Sequence, residues 1–450
     1  MLKELWLALG GDDADLGKLT ISGSGALESA FPVTDLAASS VAVAALSISE
    51  LLEHTIRIAP EINVDRRLAS FWFQSSIRPM NWAVPAPWDA IAGDYLASDG
   101  WIRLHTNAPH HRKAVEKVLG VNGGKEIVAE AVERWTKQDL EMAVVAAGGC
   151  AAEMRTIDEW KQHPQGIALA MEKLVDISEV GRCSAGNWIP KAERPLAGIK
   201  VLDLTRVLAG PVATRFLAGY GAEVLRVDPP DWDEPGVVPD VTLGKKCARL
   251  DLRKLEDRTT FEVVLSQADV ILHGYRPGAL DGLGYDADTR RNIAPNIIDV
   301  TLCAYGWTGP LAARRGFDSL VQMSTGIADA GMKWKGSAKP VPLPAQALDH
   351  STGYLLAATT IRALTARLVR GVGTNARLSL ARTANELISR QSEAEVLALN
   401  PENAEDLSPT IEETTWGKAR RLKPPVRIEG APMYWDFPAC NLGSSLPSWQ

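Results

Sequence analysis

Between residues 199 and 306, short apolar runs alternate with helix-length stretches, and few folds accept that pattern. "IKVLDLT" (199–205), "AEVLRVDPP" (222–230), "ARLDL" (248–252), "ADVILHGY" (268–275) and "IIDVTLCAYG" (297–306) read as strands. "GPVATRFLAGYG" (210–221) and "EDRTTFEVVLSQ" (256–267) read as helices. The strands are nearly continuous apolar runs, as in a sheet covered on both faces. The alternation predicts an α/β fold, a doubly wound parallel sheet with right-handed crossovers. Such sheets bind ligands beyond the carboxyl ends of their strands. That rule puts "TRVLAGP" (205–211) and "HGYRPG" (273–278) at the edge of a site.

The first part of the chain has a different rhythm. Residues 1–22, rich in Gly and Asp, read as a loose leader. A helix over 36–53, a strand entering a helix over 62–74, a hairpin over 94–106 and helices near 109–119, 124–147 and 155–175 follow. The turn Ala97-Ser98-Asp99-Gly100 fits the hairpin. Residues 23–180 therefore read as a smaller α+β domain that carries part of the larger one. A linker at 181–197 leads to a Rossmann-like domain over 198–400 and an extended tail over 401–450. One echo crosses this division. "FPVTDLAASSVAVAALSISELLE" (31–53) and "LPAQALDHSTGYLLAATT" (343–360) each run from Pro to Asp (Asp35, Asp349) to an apolar helix. "INVDRRLASFW" and "TNARLSLARTA" repeat at nearly the same offset, about 314 residues. The spacing is too long for a solenoid and reads as two partial copies of one larger fold.

Composition narrows the function. The chain has 450 residues, 48 Lys and Arg against 55 Asp and Glu, and a net charge of -7, which is no nucleic-acid footprint. Its five cysteines, widely spaced and without C-x-x-C, make neither a disulfide framework nor a zinc site and fit a reducing compartment. The seven histidines are scattered without H-E-x-x-H, so no metal is expected. Neither G-x-S-x-G nor G-x-G-x-x-G occurs. No apolar signal-peptide core opens the chain, and the apolar run at 36–52 reads as a buried helix rather than a membrane span. A cytoplasmic protein without membrane or nucleic-acid partners is expected.

The residues leave several roles open. Asp349 suits either a helix cap or a nucleophile. The Gly210-Pro211 helix start can meet an anion or simply turn the chain. Lys245 and Lys246 can meet phosphates or water. Tyr275 can stack a purine and Arg276 can pair a phosphate, or both can sit in an ordinary surface turn.

The ordered segments "PLAGIKVLDLTRVLAGPVATRFLAGYGAEVLRVDPP", "GKK…LDL", "ADVILHGYRPGALDGLGYD" and "AYGWTGPLAARRGFDSLVQ", followed by the Asp349 stretch, resemble the family III CoA-transferases over roughly 195–385. That family includes formyl-CoA and carnitine-type CoA transferases and α-methylacyl-CoA racemases. The resemblance implies a CoA-transferase that moves CoA between an acyl-CoA and a carboxylic acid. Asp349 would be the nucleophile, passing through an aspartyl anhydride and an aspartyl-CoA thioester. Thr352 and Gly353 would leave room for that thioester. It further implies that Val207, Leu208 and Ala209 pack near adenine and pantetheine, that Lys245 is the basic residue near the CoA phosphates, and that Tyr275 is the aromatic at the nucleotide. Gly274, Gly282 and Pro229 depart from polar or basic residues common in the family, with Arg276, Lys246 and Arg226 as compensating cations. No permanently bound cofactor is implied, only coenzyme A as acyl-CoA substrate. A homodimer of interlocked chains, or one chain imitating it, is expected. The first half resembles the later part of the family unit, so the order looks rearranged or fused, with Asp35 a vestige. Specificity is expected in loops such as "GMKWKGSAKPVPL" (331–343). Phe317 stands where the racemases place a His, which disfavours racemization. A catalytically silent acyl-CoA-binding paralogue is the alternative.

Overall fold

The computed structural model describes residues 1–184, 186, 188–390 and 397–449. Residues 185 and 187 of the expected linker, 391–396 at the end of the expected large domain, and 450 of the tail lie outside these. The apolar runs after residue 199 form a seven-stranded sheet. Its six parallel strands are, in chain order, Lys200–Leu204, Glu223–Asp228, Lys245–Arg249, Val270–His273, Ile298–Cys303 and Val372–Ser379. They lie side by side in the order 3-2-1-4-5-6, the arrangement of dinucleotide-binding sheets. The order reverses between the first and fourth strands, which pair directly, Val201 opposite Val270. A crevice opens there beyond the carboxyl ends. The α/β sheet is as expected. The strand placed at 248–252 in fact spans Lys245–Arg249, because the Lys pair belongs to the strand and not to its mouth.

The echo in the sequence is an echo in space. One offset of 314 residues carries the helix Val33–Ile56 onto Ala347–Arg370 and the first residue of helix Arg66–Trp72 onto that of Leu380–Ile388. The backbone agrees even at the ends. Pro32 and Gln346, before the two long helices, share φ near -75° and ψ near 65°. Arg57 and Gly371, after them, both take the left-handed conformation, one of few places where a non-glycine does so here. The two helices pack against each other through small residues such as Ala37, Ala44, Ala357 and Ala358, all wholly buried, and Ser40 and Ser351 share a hydroxyl hydrogen bond of 2.8 Å between them. Val33–Ile56 is long and apolar enough to cross a membrane, but it is the buried core helix the sequence suggested.

The halves also exchange strands. Asp176–Arg182, from the first half, pairs antiparallel with Val372–Ser379 at the edge of the large sheet. Val426–Ile428, from the second, pairs antiparallel with Ile62–Asp65 in a small sheet completed by Leu19–Ser22. Each half therefore closes the other's sheet. Three expectations change accordingly. Residues 1–22 are no loose leader: Leu2–Ala8 is a helix whose Leu5 and Trp6 are wholly buried, and Leu19–Ser22 is a strand. The linker loses Gly181 and Arg182 to an edge strand. The tail is not merely extended, since Leu407–Thr414 and Gly417–Leu422 form a hairpin, as Gly93–Ala97 and Gly100–Leu104 do in the first half. Beyond it, Trp435 stacks on Trp72 and donates from Nε1 to the Arg215 carbonyl at 2.8 Å, tying the tail to the first helix of the large domain.

Candidate active site

A cavity of about 680 Å³ lies at the crevice between the first and fourth strands. Thr205–Val207 and Ala209 reach it from the first strand, Gly274–Arg276 from the fourth, and Cys303 and Ala304 from the fifth. Arg314, Gly316, Phe317 and the buried Asp349 form a further wall with the exposed Arg315, and His110 and His111 close it from the α+β unit.

Of the residues singled out in the sequence, Val207, Ala209, Tyr275, Arg276 and Asp349 meet here. Leu208 does not line the cavity; only 8% exposed, it turns into the core just before the helix Ala209–Gly219. Val207 takes φ 63°, costly for a β-branched residue. Its N–H donates to Glu234 Oε2 at 2.8 Å, and Glu234 is held by Trp232 Nε1 at 2.9 Å and by the buried Arg226. The strained turn is thus fixed from outside, which presents the loop's backbone to the crevice.

Lys245 does not line the cavity. It begins its strand, at the sheet end opposite the cavity, and its side chain is wholly buried. Nζ donates to Thr214 Oγ1 at 2.6 Å and to the Pro211 carbonyl at 2.9 Å, and lies 3.2 Å from Asp203 Oδ2. Burial lowers the ammonium to about 8 against the pull of Asp203. Burial pushes the Asp203 carboxyl up, but Lys245 and Arg226 outweigh it and hold it low. Lys245 is a strut under the first helix. Lys246, on Glu223 at 3.0 Å, and Arg226, on Asp228 at 2.8 Å, are also spent on partners outside the cavity. The cations that do line it are Arg206, Arg253, Arg276, Arg314 and Arg315. Arg206 lies over the rings of Trp232 (4.6 Å) and Tyr275 (5.2 Å). The basic pair "KK" drew attention because it is conspicuous in sequence, whereas Arg315 is brought in only by the chain fold.

Asp349 is not the helix cap. Gln346 occupies the N-cap without a side-chain bond, and Asp349 is the third residue of the helix. Its backbone N–H is taken by Asp318 Oδ2 at 2.9 Å, and Asp318 is itself fixed by Gln322. Among the described residues no donor bonds the Asp349 carboxylate, which faces the cavity at 8% exposure. Burial and the neighbouring charge of Asp318 raise its pKa well above the ordinary value. Burial likewise lifts Asp318 to about 6, against the hydrogen bonds of Gln322 and of the backbone at 348 and 349. The sequence passed over Asp318, visible only as the acid of "GFDSL". The space expected after Asp349 is filled by protein: a Cβ on Gly353 would stand 2.5 Å from the Ala209 carbonyl, and Thr352 is bonded to Thr383 at 2.8 Å. His350 points away, stacked on Phe73, and burial pulls its imidazole to about 3. Phe317 stacks on the buried His105 with centroids 3.8 Å apart.

Asp35 differs from its copy. Its carboxylate is 51% exposed and paired with Arg66 at 2.8 Å, and it lines no described cavity. The loop at 331–343 does not reach Asp349 either. With residues 27–31 it borders a second cavity of about 350 Å³ between the lead-in segments of the two long helices.

The family description "CoA-transferase family III" matches residues 196–412, which span every strand and loop of this crevice. Over these residues, just under half of its length, the chain is similar to CoA-transferase family III. An acyl-CoA transferase of Gibberella moniliformis is 30% identical over 326 residues, 69% of this chain and 55% of that protein. The acetyl-coenzyme A transferase nodX of Hypoxylon pulicicidum is 36% identical over 184 residues, 40% of this chain and 31% of the relative. The crystal structure of Rv3272 from Mycobacterium tuberculosis has a TM-score of 0.41 at 32% identity, over 44% of this chain and 57% of that one. The chain spans about half the length of the curated relatives it matches.

Replacing Asp318 by Asn tests the coupling of the two acids in this site. With the charge gone, the Asp349 carboxyl loses a repulsive neighbour, though not its burial, and the acid limb of the activity profile should move to lower pH. A pH–rate series on both proteins reads the shift.

Proposed function

We propose that this chain transfers CoA between an acyl-CoA and a carboxylic acid, with Asp349 as the nucleophile. The observation that carries the reading is a buried carboxylate, free of hydrogen bonds among the described residues, at the floor of a cation-lined cavity on the sheet's switch point. Similarity to family III over 196–412, and relatives named as acyl-CoA transferases, support it.

An Asp349 oxygen attacks the thioester carbonyl carbon. The C–S bond breaks, CoA leaves as thiolate with the electron pair, and a mixed anhydride remains. The thiolate then attacks the aspartyl carbonyl and releases the first acid, leaving aspartyl-CoA. An acceptor carboxylate repeats the two steps in reverse order, and Asp349 returns as carboxylate. Each step exchanges one acyl bond for another, so no redox group is required. The desolvation that raises Asp349's pKa also strips water from its ionised oxygen and strengthens it as a nucleophile. Val207, Ala209, Tyr275 and Arg206 face the nucleotide portion of CoA, with Arg276 free to meet phosphate.

Incubation with an acyl-CoA and a panel of carboxylic acids, read by mass spectrometry, should yield CoA thioesters of the added acid. Retention of acyl-CoA without any exchanged product would replace the transferase reading by that of a binding protein. The racemase reading finds no help, since Phe317 is stacked on His105 and His350 is turned into the core. The reciprocal strand exchange supports a further reading, that one chain supplies both members of an interlocked pair. Light scattering should give the mass of one chain, and a stable dimer would contradict this.

A further inference from the structure

Asp318 and Asp349 are neighbouring buried acids, and their hydrogen bonds are unequal. Both oxygens of Asp318 accept: Oδ1 from Gln322 Nε2 at 2.5 Å, and Oδ2 from the Asp349 backbone N–H at 2.9 Å. Among the described residues the Asp349 carboxylate has no such donor. A proton on either Asp318 oxygen would displace a donor already there, whereas Asp349 gives up no bond by taking one.

The amide that holds Asp318 is oriented from its other side. Gln322 lies one turn along the helix Asp318–Ser324 and is 1% exposed. Its Oε1 accepts from the Leu343 N–H at 2.8 Å. A backbone N–H can only donate, so the amide oxygen must face Leu343 and the NH2 must face Asp318. The end of the loop at 331–343 thus bears on Asp349 through two side chains, although the loop itself lies away from the cavity.

Most other charges around the two acids are committed elsewhere. Arg103, on the strand Gly100–Leu104, draws on Asp318 but is bonded to Asp94 at 2.7 Å. On the helices packed against Asp318–Ser324, Lys333 pairs with Asp329 at 2.7 Å and Arg382 with Glu386 at 2.6 Å. On the strand Ala151–Glu153, Glu153 pairs with Arg155. In the cavity wall, Arg314 is committed to Glu141 at 2.9 Å. His105, His111 and His350 are neutral, their imidazoles pulled by burial to about 3. Arg206, Arg253, Arg276 and Arg315 line the cavity, and every variant below keeps them.

We propose that Gln322 sets the pH at which Asp349 becomes a nucleophile, by keeping Asp318 as the charged member of the pair. This inference rests on the transferase reading of the site. Gln322 does not line the cavity, so it is a positioning residue and leaves the chemistry to Asp349.

In Gln322→Met, Asp318 loses the donor on Oδ1 and takes a proton more readily. The charge opposing Asp349 then fades, and Asp349 ionises at lower pH. The acid limb of the normalised activity profile should move to lower pH, in the direction of Asp318→Asn. Gln322→Met added to Asp318→Asn should move it no further. Gln322→Glu should hold the limb near wild type, because two acids in contact share one proton and leave one negative charge. A limb unmoved by Gln322→Met, or moved again in the double variant, overturns the proposal and leaves the transferase reading standing. Carbon-13 NMR of aspartate-labelled protein without acyl-CoA reads the pair apart from turnover, its resonances assigned with Asp318→Asn and Asp349→Asn. In the wild-type chain Asp318 should ionise at lower pH than Asp349. The reverse order overturns the proposal even where the Gln322 variants fail to fold. The expected order in a chain that exchanges no CoA under any donor would instead sink the transferase reading and keep the assignment of charge to Asp318.

Discussion

Asp349→Asn is expected to remove CoA exchange and, at the same time, to make the protein more stable. The first effect should be on the order of 10⁴-fold or greater, as for other enzymes stripped of a covalent nucleophile. The second follows from linkage. Folding buries the Asp349 carboxyl beside Asp318 and raises its pKa, so between the ordinary and the raised value the native state is more protonated than the unfolded chain. A group raised on folding costs stability as pH climbs from its ordinary value to its raised one, at about 1.4 kcal/mol per unit of that window. Asn carries no such cost. Thermal unfolding at pH 7–8 should therefore place Asp349→Asn above wild type, and the gap should close below about pH 3, where the carboxyl is protonated in both states. A variant both inactive and less stable would mean that the side chain holds the fold together rather than performing chemistry.

Lys245→Ala should have the opposite profile. Its ammonium lies under the helix Ala209–Gly219, wholly buried with Asp203, Thr214 and the Pro211 carbonyl. Removing it leaves the wholly buried Asp203 carboxylate without the cation beside it, held only by hydrogen bonds from Thr205 and Thr214. Breaking one side of a buried pair costs about 3–5 kcal/mol, and urea unfolding should show a loss of that size. Wherever the variant still folds, its KM for acyl-CoA should remain near wild type. A KM raised more than tenfold with unfolding free energy unchanged would restore Lys245 to the phosphates.

These two residues show how far the sequence could be read. The sheet was legible because burial on both faces leaves uninterrupted apolar runs, and the repeat because a helix start, its small-residue face and the following strand recur at one spacing. Asp349 was legible as a lone acid before an apolar helix. Its exclusion from the N-cap was not, because the bonds that fix that helix end come from Asp318, thirty-one residues earlier in the chain. Lys245 was misplaced for a related reason. A charged pair reads as exposed, and only the register with Val224 shows that Lys245 starts its strand inside the sheet. His111 and Arg315 carry no sequence signal, since they become neighbours only when the α+β unit closes over the crevice, whereas Arg206 lies in the segment 205–211 that the sheet rule already puts at the site edge. The order in Leu2–Ala8 was hidden by the Gly and Asp that follow it, although Leu5 and Trp6 supply the buried contact.

The most direct test of the central claim is a hydroxylamine trap during turnover with acyl-CoA, followed by peptide mapping. Hydroxylamine cleaves an aspartyl thioester or anhydride and leaves a hydroxamate on the acid that formed it. The structure predicts one hydroxamate per chain, on Asp349, with Asp35 unmodified. Steady exchange with Asp349 unmodified, or the label on another acid, would contradict it.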